Sequence, residues 1–142
     1  MKPTVLFVDD EPVRMSPFAI ALERAGYQVI MAASAGEALE LAKAHRSEIS
    51  VLIVDIMIPT GTKDAIGIDP RRAGLWALGE IRAIPELAEA PAIVLSAVSE
   101  TRVTAETERL GVVAYLEKPL SLARLVTAVD KALARLEKGG AD

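Results

Sequence analysis

Side chains able to do polar chemistry stand at the downstream ends of four short apolar runs in this chain. They are the Asp9-Asp10 pair, Asp55, Ser96 and Lys118. In an open parallel α/β sheet the carboxyl ends of the strands share one edge, and ligands bind in the crevice there. Three carboxylates, a hydroxyl and an ammonium that meet in such a crevice suit a divalent cation and a phosphoryl group.

The three aspartates would repel one another, and a divalent cation would remove that conflict. Mg²⁺ prefers oxygen ligands and is often held by one or two carboxylates together with a phosphate. The chain has no cysteine and one histidine, His45, so the soft ligands of zinc and copper sites are missing. An isolated Asp-Asp pair is usually an acidic turn or a helix cap. The metal interpretation therefore depends on Asp55 ending a second strand.

Asp55 is a lone charge that follows four apolar residues and precedes three more. Such a charge must be paired, bind a metal ion or stand at a strand end. A carboxylate can act as a nucleophile and form an acyl phosphate. Phosphoryl transfer needs mainly positioning and neutralisation of charge on the phosphoryl oxygens. Mg²⁺ beside the aspartate pair, Lys118 on the other side and the Ser96 hydroxyl would serve those needs.

Composition and charge exclude several classes of protein. The chain has 142 residues, of which 51% are hydrophobic and 25% charged, as expected for one globular domain. Its longest apolar run is broken by Asp55 and falls short of the roughly 18 residues that a membrane span needs. The start lacks a signal-peptide pattern. A net charge of −4 without a basic stripe argues against direct binding to nucleic acid. We expect a cytoplasmic protein without membrane contact.

Strand-like and helix-like segments alternate five times, which is typical of a parallel sheet with crossover helices. The predicted strands cover residues 3–8, 27–32, 50–54, 92–95 and 112–116. The predicted helices comprise one that ends near Ala25, one over 34–45, one within 69–84, one over 100–110 and one over 121–138. Residues 1–138 then form one domain, and 139–142 form a flexible tail.

Local signals predict where three of these helices begin. Ser34 and Glu37 have the spacing of a capping box at the start of the second helix. Asp69-Pro70 is a candidate N-cap and first residue of the third, which lies within 69–84. Pro17 is incompatible with a regular helix that begins right after Asp10, so we expect the first helix to start late, near Ser16, or to bend.

Six blocks of sequence, in order and at compatible spacing, resemble the receiver domain of two-component response regulators over nearly the whole chain. The blocks are Val8-Asp9-Asp10-Glu11-Pro12, Gly26-Tyr27-Gln28-Val29, Ala35-Gly36-Glu37-Ala38-Leu39, Val54-Asp55-Ile56-Met57-Ile58-Pro59, Pro91-Ala92-Ile93-Val94-Leu95-Ser96-Ala97 and Ala114-Tyr115-Leu116-Glu117-Lys118-Pro119.

The resemblance implies a five-stranded parallel sheet in the order 2-1-3-4-5, a flavodoxin-like, doubly wound three-layer sandwich. It implies that Asp55 accepts a phosphoryl group from a phosphohistidine on a histidine kinase or a histidine phosphotransfer protein. Asp10, Asp55 and the backbone carbonyl of Met57 would bind Mg²⁺ directly, and Asp9 would act largely through water. Beyond Mg²⁺-dependent self-phosphorylation and autodephosphorylation, no enzyme activity is implied.

The resemblance also implies a switch. Lys118 would hold a phosphate oxygen beside a cis Pro119. Ser96 would move toward the phosphate and Tyr115 would swing inward behind it. The face made by the fourth helix, the fifth strand and the fifth helix would change as a result. Downstream protein partners would read that face, and a homodimer, if one forms, would use it.

The sequence departs from the family pattern after the phosphoacceptor. The helix opening at Gly74 comes late, which enlarges the segment 60–73. The enlarged segment is either a tolerated surface insertion or a lid or docking loop beside Asp55. No effector domain follows the fifth helix, so we expect a single-domain regulator or one domain of a longer protein.

Other functions remain as alternatives. The first is a receiver-like scaffold that binds a partner without phosphorylation. A dehalogenase-like phosphatase would need a second acid where this chain has Met57. A flavodoxin-like electron carrier would need an uncharged phosphate loop after the first strand, and Asp9-Asp10-Glu11 has the wrong charge for one.

Overall fold

A five-stranded parallel sheet forms the centre of the computed structural model, which describes residues 2–96 and 108–141, the last seven by their backbone alone. The strands lie in the predicted order β2-β1-β3-β4-β5, and each bound falls within one residue of its predicted position. They are β1 (Thr4–Val8), β2 (Gln28–Ala32), β3 (Ile49–Asp55), β4 (Ala92–Ser96) and β5 (Val112–Glu117).

Helices cover both faces of the sheet and create two buried cores. They are α1 (Pro12–Arg24), α2 (Ala35–Ala44), α3 (Ala73–Arg82) and the C-terminal helix (Leu122–Ala141). Leu6 and Val8 of β1 pack with α2 and α3, whereas Val5 and Phe7 pack with α1 and the C-terminal helix. Because β1 and β3 are buried on both faces, their sequences are continuously apolar rather than alternating.

The C-terminal helix extends to Ala141, three residues beyond its predicted end. The predicted helix over 100–110 falls mostly on residues 97–107, which lie outside the described part of the chain. None of the helices within the described ranges is long and apolar enough to cross a bilayer.

Pro17 does not delay α1, and the prediction of a late start is wrong. The helix begins at Pro12, which occupies its first turn, and Pro17 lies inside it. Pro17 removes the bond that its nitrogen would have made to the carbonyl of Val13, and its ring crowds that carbonyl; Val13 is 87% exposed, so this part of the helix is accessible to water. The Ser16 hydroxyl donates to the Pro12 carbonyl (3.1 Å) rather than capping a helix.

The capping box of α2 is confirmed. The Ser34 hydroxyl accepts from the backbone N–H of Glu37 (3.1 Å), and the Glu37 carboxylate accepts from the N–H of Ala33 (2.9 Å). The first bond satisfies an orphan N–H in the first turn of the helix, and the second fixes the residue that precedes the N-cap.

Of the two starts indicated for α3, the cap at Asp69-Pro70 is wrong by three residues, whereas the helix opening at Gly74 lies within one residue of the observed start. Asp69 and Pro70 open a short 3₁₀ turn, Pro70–Arg72, in which the Asp69 carboxylate accepts from the N–H of Arg71 (2.9 Å). The α-helix begins only at Ala73. Its start is set by a tertiary contact, because the N–H of Gly74 donates to the carbonyl of Ile56 just after β3 (2.9 Å).

The enlarged segment between β3 and α3 folds toward α2. The carbonyls of Pro59 and Thr60 accept from the N–H groups of Ala35 and Gly36, at 2.9 and 2.8 Å. A second 3₁₀ turn, Lys63–Ala65, follows. The segment therefore supplies caps for the first turn of α2, which its own capping box leaves incomplete.

Candidate functional site

Asp9 and Asp10 follow β1 directly and face different surroundings. The backbone N–H of Asp9 donates to the carbonyl of Ala32 (2.9 Å), which continues the pairing with β2. Its carboxylate is fully buried and accepts through Oδ1 from the N–H of Glu11 (2.9 Å). Asp10 is exposed. One carboxylate therefore lies beneath the sheet edge and the other stands at its surface.

Asp55 is the last residue of β3. It is only 5% exposed, and its Oδ1 accepts from the backbone N–H of Met57 (2.9 Å). Carboxylate oxygens of Asp9, Asp10 and Asp55 lie within 4.8 Å of one another. The structure thus brings together the three aspartates that the sequence placed at neighbouring strand ends.

Lys118 joins two of these carboxylates. Its Nζ lies 2.8 Å from Oδ2 of Asp9 and 2.6 Å from Oδ2 of Asp55. Its backbone N–H donates to the carbonyl of Ser96 (2.8 Å), which connects the ends of β4 and β5. The Lys118-Pro119 peptide bond is cis, as the family resemblance implied.

The charges at this edge perturb one another. Burial raises the pKa of the Asp55 carboxyl, the charge of Asp9 adds to this, and hydrogen bonds from Lys118 and Met57 offset only part of it. Burial works to lower the pKa of Lys118, but its hydrogen bonds to Asp55 and Asp9 outweigh that effect and raise it. Lys118 is therefore held as a cation, and Asp55 is a more basic carboxylate than usual.

Ser96 and Tyr115 stand on the neighbouring strands β4 and β5. Ser96 is half-buried at the end of β4 and pairs in register with Glu117, and Tyr115 pairs with Val94. The Tyr115 hydroxyl is buried and has no hydrogen-bond partner within the described ranges. A buried hydroxyl without a partner costs free energy, so this position of the ring is less stable than one in which the hydroxyl is satisfied.

A crevice of about 610 Å³ opens over the acidic cluster. Its walls come from the start of α1, the end of β3 and the segment that follows β5. The lining residues are Asp10, Glu11, Arg14, Met15, Phe18, Asp55, Met57, Lys118, Pro119 and Leu120. Residues 60–72 are not among the lining residues that the structure describes, so the enlarged segment does not cover the crevice.

Sequence reasoning did not identify the contribution of α1 to this crevice. Arg14 and Glu11 form an ion pair at 2.9 Å on its wall, and Met15 and Phe18 supply an apolar side. The opposite charges at spacing i, i+3 were the available signal. That spacing does not indicate which way the helix faces, so the pair was overlooked.

The donor set fits Mg²⁺. Three carboxylates with ligand atoms within 4.8 Å provide the hard oxygen ligands that this ion prefers. A divalent cation there would also relieve the repulsion between Asp9 and Asp55 that a single lysine balances in part.

Comparison with known proteins identifies the family. The response regulator receiver domain model matches residues 5–130. The transcriptional regulatory protein PdtaR of Mycobacterium tuberculosis is 31% identical over 135 residues, 94% of this chain; the chain spans 58% of the length of PdtaR. The polar-differentiation response regulator DivK of Brucella anthropi is 26% identical, with 91% of this chain and 94% of DivK covered.

Solved structures agree on the fold. A CheY-like receiver domain protein from Methanospirillum hungatei has a TM-score of 0.76 at 22% identity, with 98% of this chain and 99% of that chain covered. The receiver domain of the Francisella response regulator 1452 has a TM-score of 0.73 at 27% identity, with coverages of 94% and 98%. The chain therefore belongs to the response regulator receiver domain family of two-component signalling, whose members bind Mg²⁺ at an acidic pocket.

Proposed function

We propose that Asp55 accepts a phosphoryl group from a phosphohistidine on a histidine kinase or a histidine phosphotransfer protein. The observation that carries this proposal is the buried Asp55 carboxylate, which is bonded to Lys118 and lies beside two further aspartates. An oxygen of Asp55 attacks phosphorus, the phosphorus–nitrogen bond breaks, and its electron pair stays on the imidazole. The product is an acyl phosphate on this chain.

Asp10, Asp55 and the backbone carbonyl of Met57 would hold Mg²⁺, with Asp9 acting through water. When bound, the ion supplies positive charge against the carboxylates and the phosphoryl oxygens. Asp9 has a second task, because its Oδ2 holds the Lys118 ammonium 2.8 Å away.

Lys118 positions and balances charge throughout the transfer. In the free protein it neutralises Asp55 across 2.6 Å. Once Asp55 is phosphorylated, the same ammonium donates to a phosphoryl oxygen, because it remains tethered by Asp9 and by the bond between its own N–H and Ser96. The Ser96 hydroxyl is the second donor to the phosphoryl group.

The output of phosphorylation is a change at the face that contains β5 and the C-terminal helix. A bond between Ser96 and the phosphoryl group pulls the end of β4, and Tyr115 on the adjacent strand moves with it. Its buried hydroxyl, which has no hydrogen-bond partner among the described residues, supports this role, since a residue that loses little by moving suits a two-state element. The partner that reads the face is a downstream protein or a second copy of this chain.

Intact-protein mass spectrometry after incubation with Mg²⁺ and acetyl phosphate tests the proposal. The wild type should gain one phosphoryl group, and the gain should disappear with EDTA or with Asp55→Asn. Asp64→Asn, which removes an exposed carboxylate from the enlarged segment, serves as the matched control and should be phosphorylated normally. No gain in the wild type, with acetyl phosphate and with a panel of phosphorylated histidine kinases, would favour the scaffold alternative.

A further inference from the structure

The crevice presents an electrostatic obstacle to a phosphodonor. Asp10, Glu11 and Asp55 line it, and every phosphodonor brings further negative charge. The cations among the described lining residues are Lys118 and Arg14. Lys118 is already shared between two carboxylates at 2.6 and 2.8 Å, so it is poorly suited to attract a donor before transfer begins.

Arg14 is placed to act earlier than Lys118. It lies in the first turn of α1, where its Nη1 contacts Oε2 of Glu11 at 2.9 Å, and its side chain is 79% exposed. That contact uses one of the five N–H donors of the guanidinium. An exposed ion pair of this kind is weak, so the arginine exchanges partners easily.

The Arg14–Glu11 pair is connected to the acidic cluster. The N–H of Glu11 donates to Oδ1 of Asp9, and Oδ2 of Asp9 accepts from Lys118, which also contacts Asp55. This chain of contacts fixes the backbone at the start of α1 relative to the phosphoacceptor. The backbone of Arg14 is therefore fixed at the wall of the crevice, whereas its exposed guanidinium can turn toward a donor.

We propose that Arg14 is a donor-binding residue that captures the phosphoryl group of the incoming phosphodonor, and that Glu11 competes with the donor for its guanidinium. The planar fork of arginine matches two phosphoryl oxygens. Arg14 exchanges the Glu11 carboxylate for the donor's phosphoryl group, and Lys118 and Ser96 take over at the transfer itself. This inference rests on the proposed function and adds a specificity-determining residue to it.

The test is the second-order rate constant for phosphorylation by acetyl phosphate at saturating Mg²⁺, followed by intact-protein mass. Arg14→Gln should lower it about threefold to tenfold, and Arg14→Lys should give an intermediate value because it keeps charge without the fork. Arg24→Gln, the same charge change at the far end of α1, is the matched control and should change it less than about twofold, since screening is nearly complete beyond a Debye length of about 8 Å.

Two further variants test the competition. Glu11→Gln should raise the rate constant, because it frees Arg14 and removes a negative charge, whereas its control Glu23→Gln should not. In the double variant, which carries Glu11→Gln and Arg14→Gln, the substitution at Glu11 should raise the rate constant by a smaller factor than it does in the presence of Arg14. In 1 M salt, where the Debye length is about 3 Å, the wild type and Arg14→Gln should converge.

Mg²⁺ affinity, measured by isothermal titration calorimetry, distinguishes a loss of donor binding from damage to the metal site as the cause of slow phosphorylation. Arg14→Gln should bind Mg²⁺ at least as tightly as the wild type, because it removes a nearby positive charge. Equal rate constants for Arg14→Gln and Arg24→Gln would overturn the inference, as would a slow Arg14→Gln variant with weakened Mg²⁺ binding. If the wild type itself is not phosphorylated, the proposed function fails and the role of Arg14 fails with it.

Discussion

Replacement of Gly74 by alanine should destabilise this domain, whereas the same replacement at Gly79, later in the same helix, should stabilise it. An ideal Cβ on Gly74 would lie 1.9 Å from the carbonyl oxygen of Asp55 and 2.8 Å from its carbonyl carbon. A Cβ on Gly79 would meet Leu110 Cδ2 at 3.6 Å, the one atom within 4 Å among the described residues. The first contact is impossible for real atoms and the second is ordinary.

The magnitudes follow from the two environments. Alanine is more favourable than glycine inside a helix by about 0.5–1 kcal/mol, and Gly79→Ala should gain most of that. At Gly74 both overlapping groups are main chain, so relief requires the start of α3 to move about 1 Å from β3. Overpacking of this kind costs about 1–3 kcal/mol. The move also strains the bond from the Gly74 N–H to the Ile56 carbonyl, worth about 1 kcal/mol. The net destabilisation is therefore about 2 kcal/mol.

Equilibrium unfolding in urea without metal measures both changes, and thermal melting should show a shift of about 4 °C per kcal/mol for a domain of this size. Because the displaced carbonyl belongs to the phosphoacceptor, Gly74→Ala should also slow phosphorylation under conditions where it is folded, and Gly79→Ala should not. A Gly74→Ala variant as stable as the wild type, or equal shifts for the two variants, would refute the reasoning.

Three further predictions concern the site and the start of α2. Without metal, Asp55→Asn should melt at a higher temperature than the wild type at pH 7. Burial raises the pKa of the Asp55 carboxyl, so the folded state holds the carboxyl proton more tightly than the unfolded chain does. The stability that this proton contributes is lost as pH rises through the folded pKa. The advantage of the variant should therefore vanish in melts below pH 3.8, the ordinary pKa of an aspartate. Tyr115→Phe should raise the free energy of unfolding in urea by about 1 kcal/mol, because it removes a buried hydroxyl that lacks a partner in the described part of the chain, and a loss of stability would contradict this account. Ser34→Ala should lower the free energy of unfolding by about 1 kcal/mol in the same measurement, through loss of the cap on the Glu37 N–H. The control is Ser50→Ala, at a half-buried position in β3, which removes a hydroxyl that caps no helix.

The sequence predicts the sheet well because local and long-range signals agree there. The apolar runs of β1 and β3 are buried on both faces; their short length and their β-branched residues, rather than their periodicity, distinguish such runs from buried helices. The rule that parallel strands end at one edge then brings Asp9, Asp55 and Lys118 together without knowledge of any distance. Their roles in phosphoryl transfer remain predictions.

The sequence fails where tertiary contacts decide. Pro17 breaks a local rule, yet α1 tolerates it, because the burial of Met15 and Leu22 outweighs one lost hydrogen bond. The local Asp69-Pro70 signal places the start of α3 three residues too early, because that start depends on how closely Gly74 approaches Asp55; only the family resemblance indicated Gly74 as the helix opening. The role of Arg14 depends on the rotation of α1 about its axis, which the weak amphipathic pattern of that helix does not fix.

The path of the enlarged segment has a physical consequence for the site. Its first carbonyls, those of Pro59 and Thr60, are fixed to α2, and farther along, the N–H of Ile58 donates to the carbonyl of Pro70 (3.3 Å). The additional residues therefore form a loop whose two ends are held close together. Lengthening such a loop adds little to the entropic cost of closing it. Met57, immediately before this junction, donates its N–H to Asp55. This geometry favours the surface insertion over the lid, because the segment leaves the crevice open and contacts α2, on the side of the sheet away from α1.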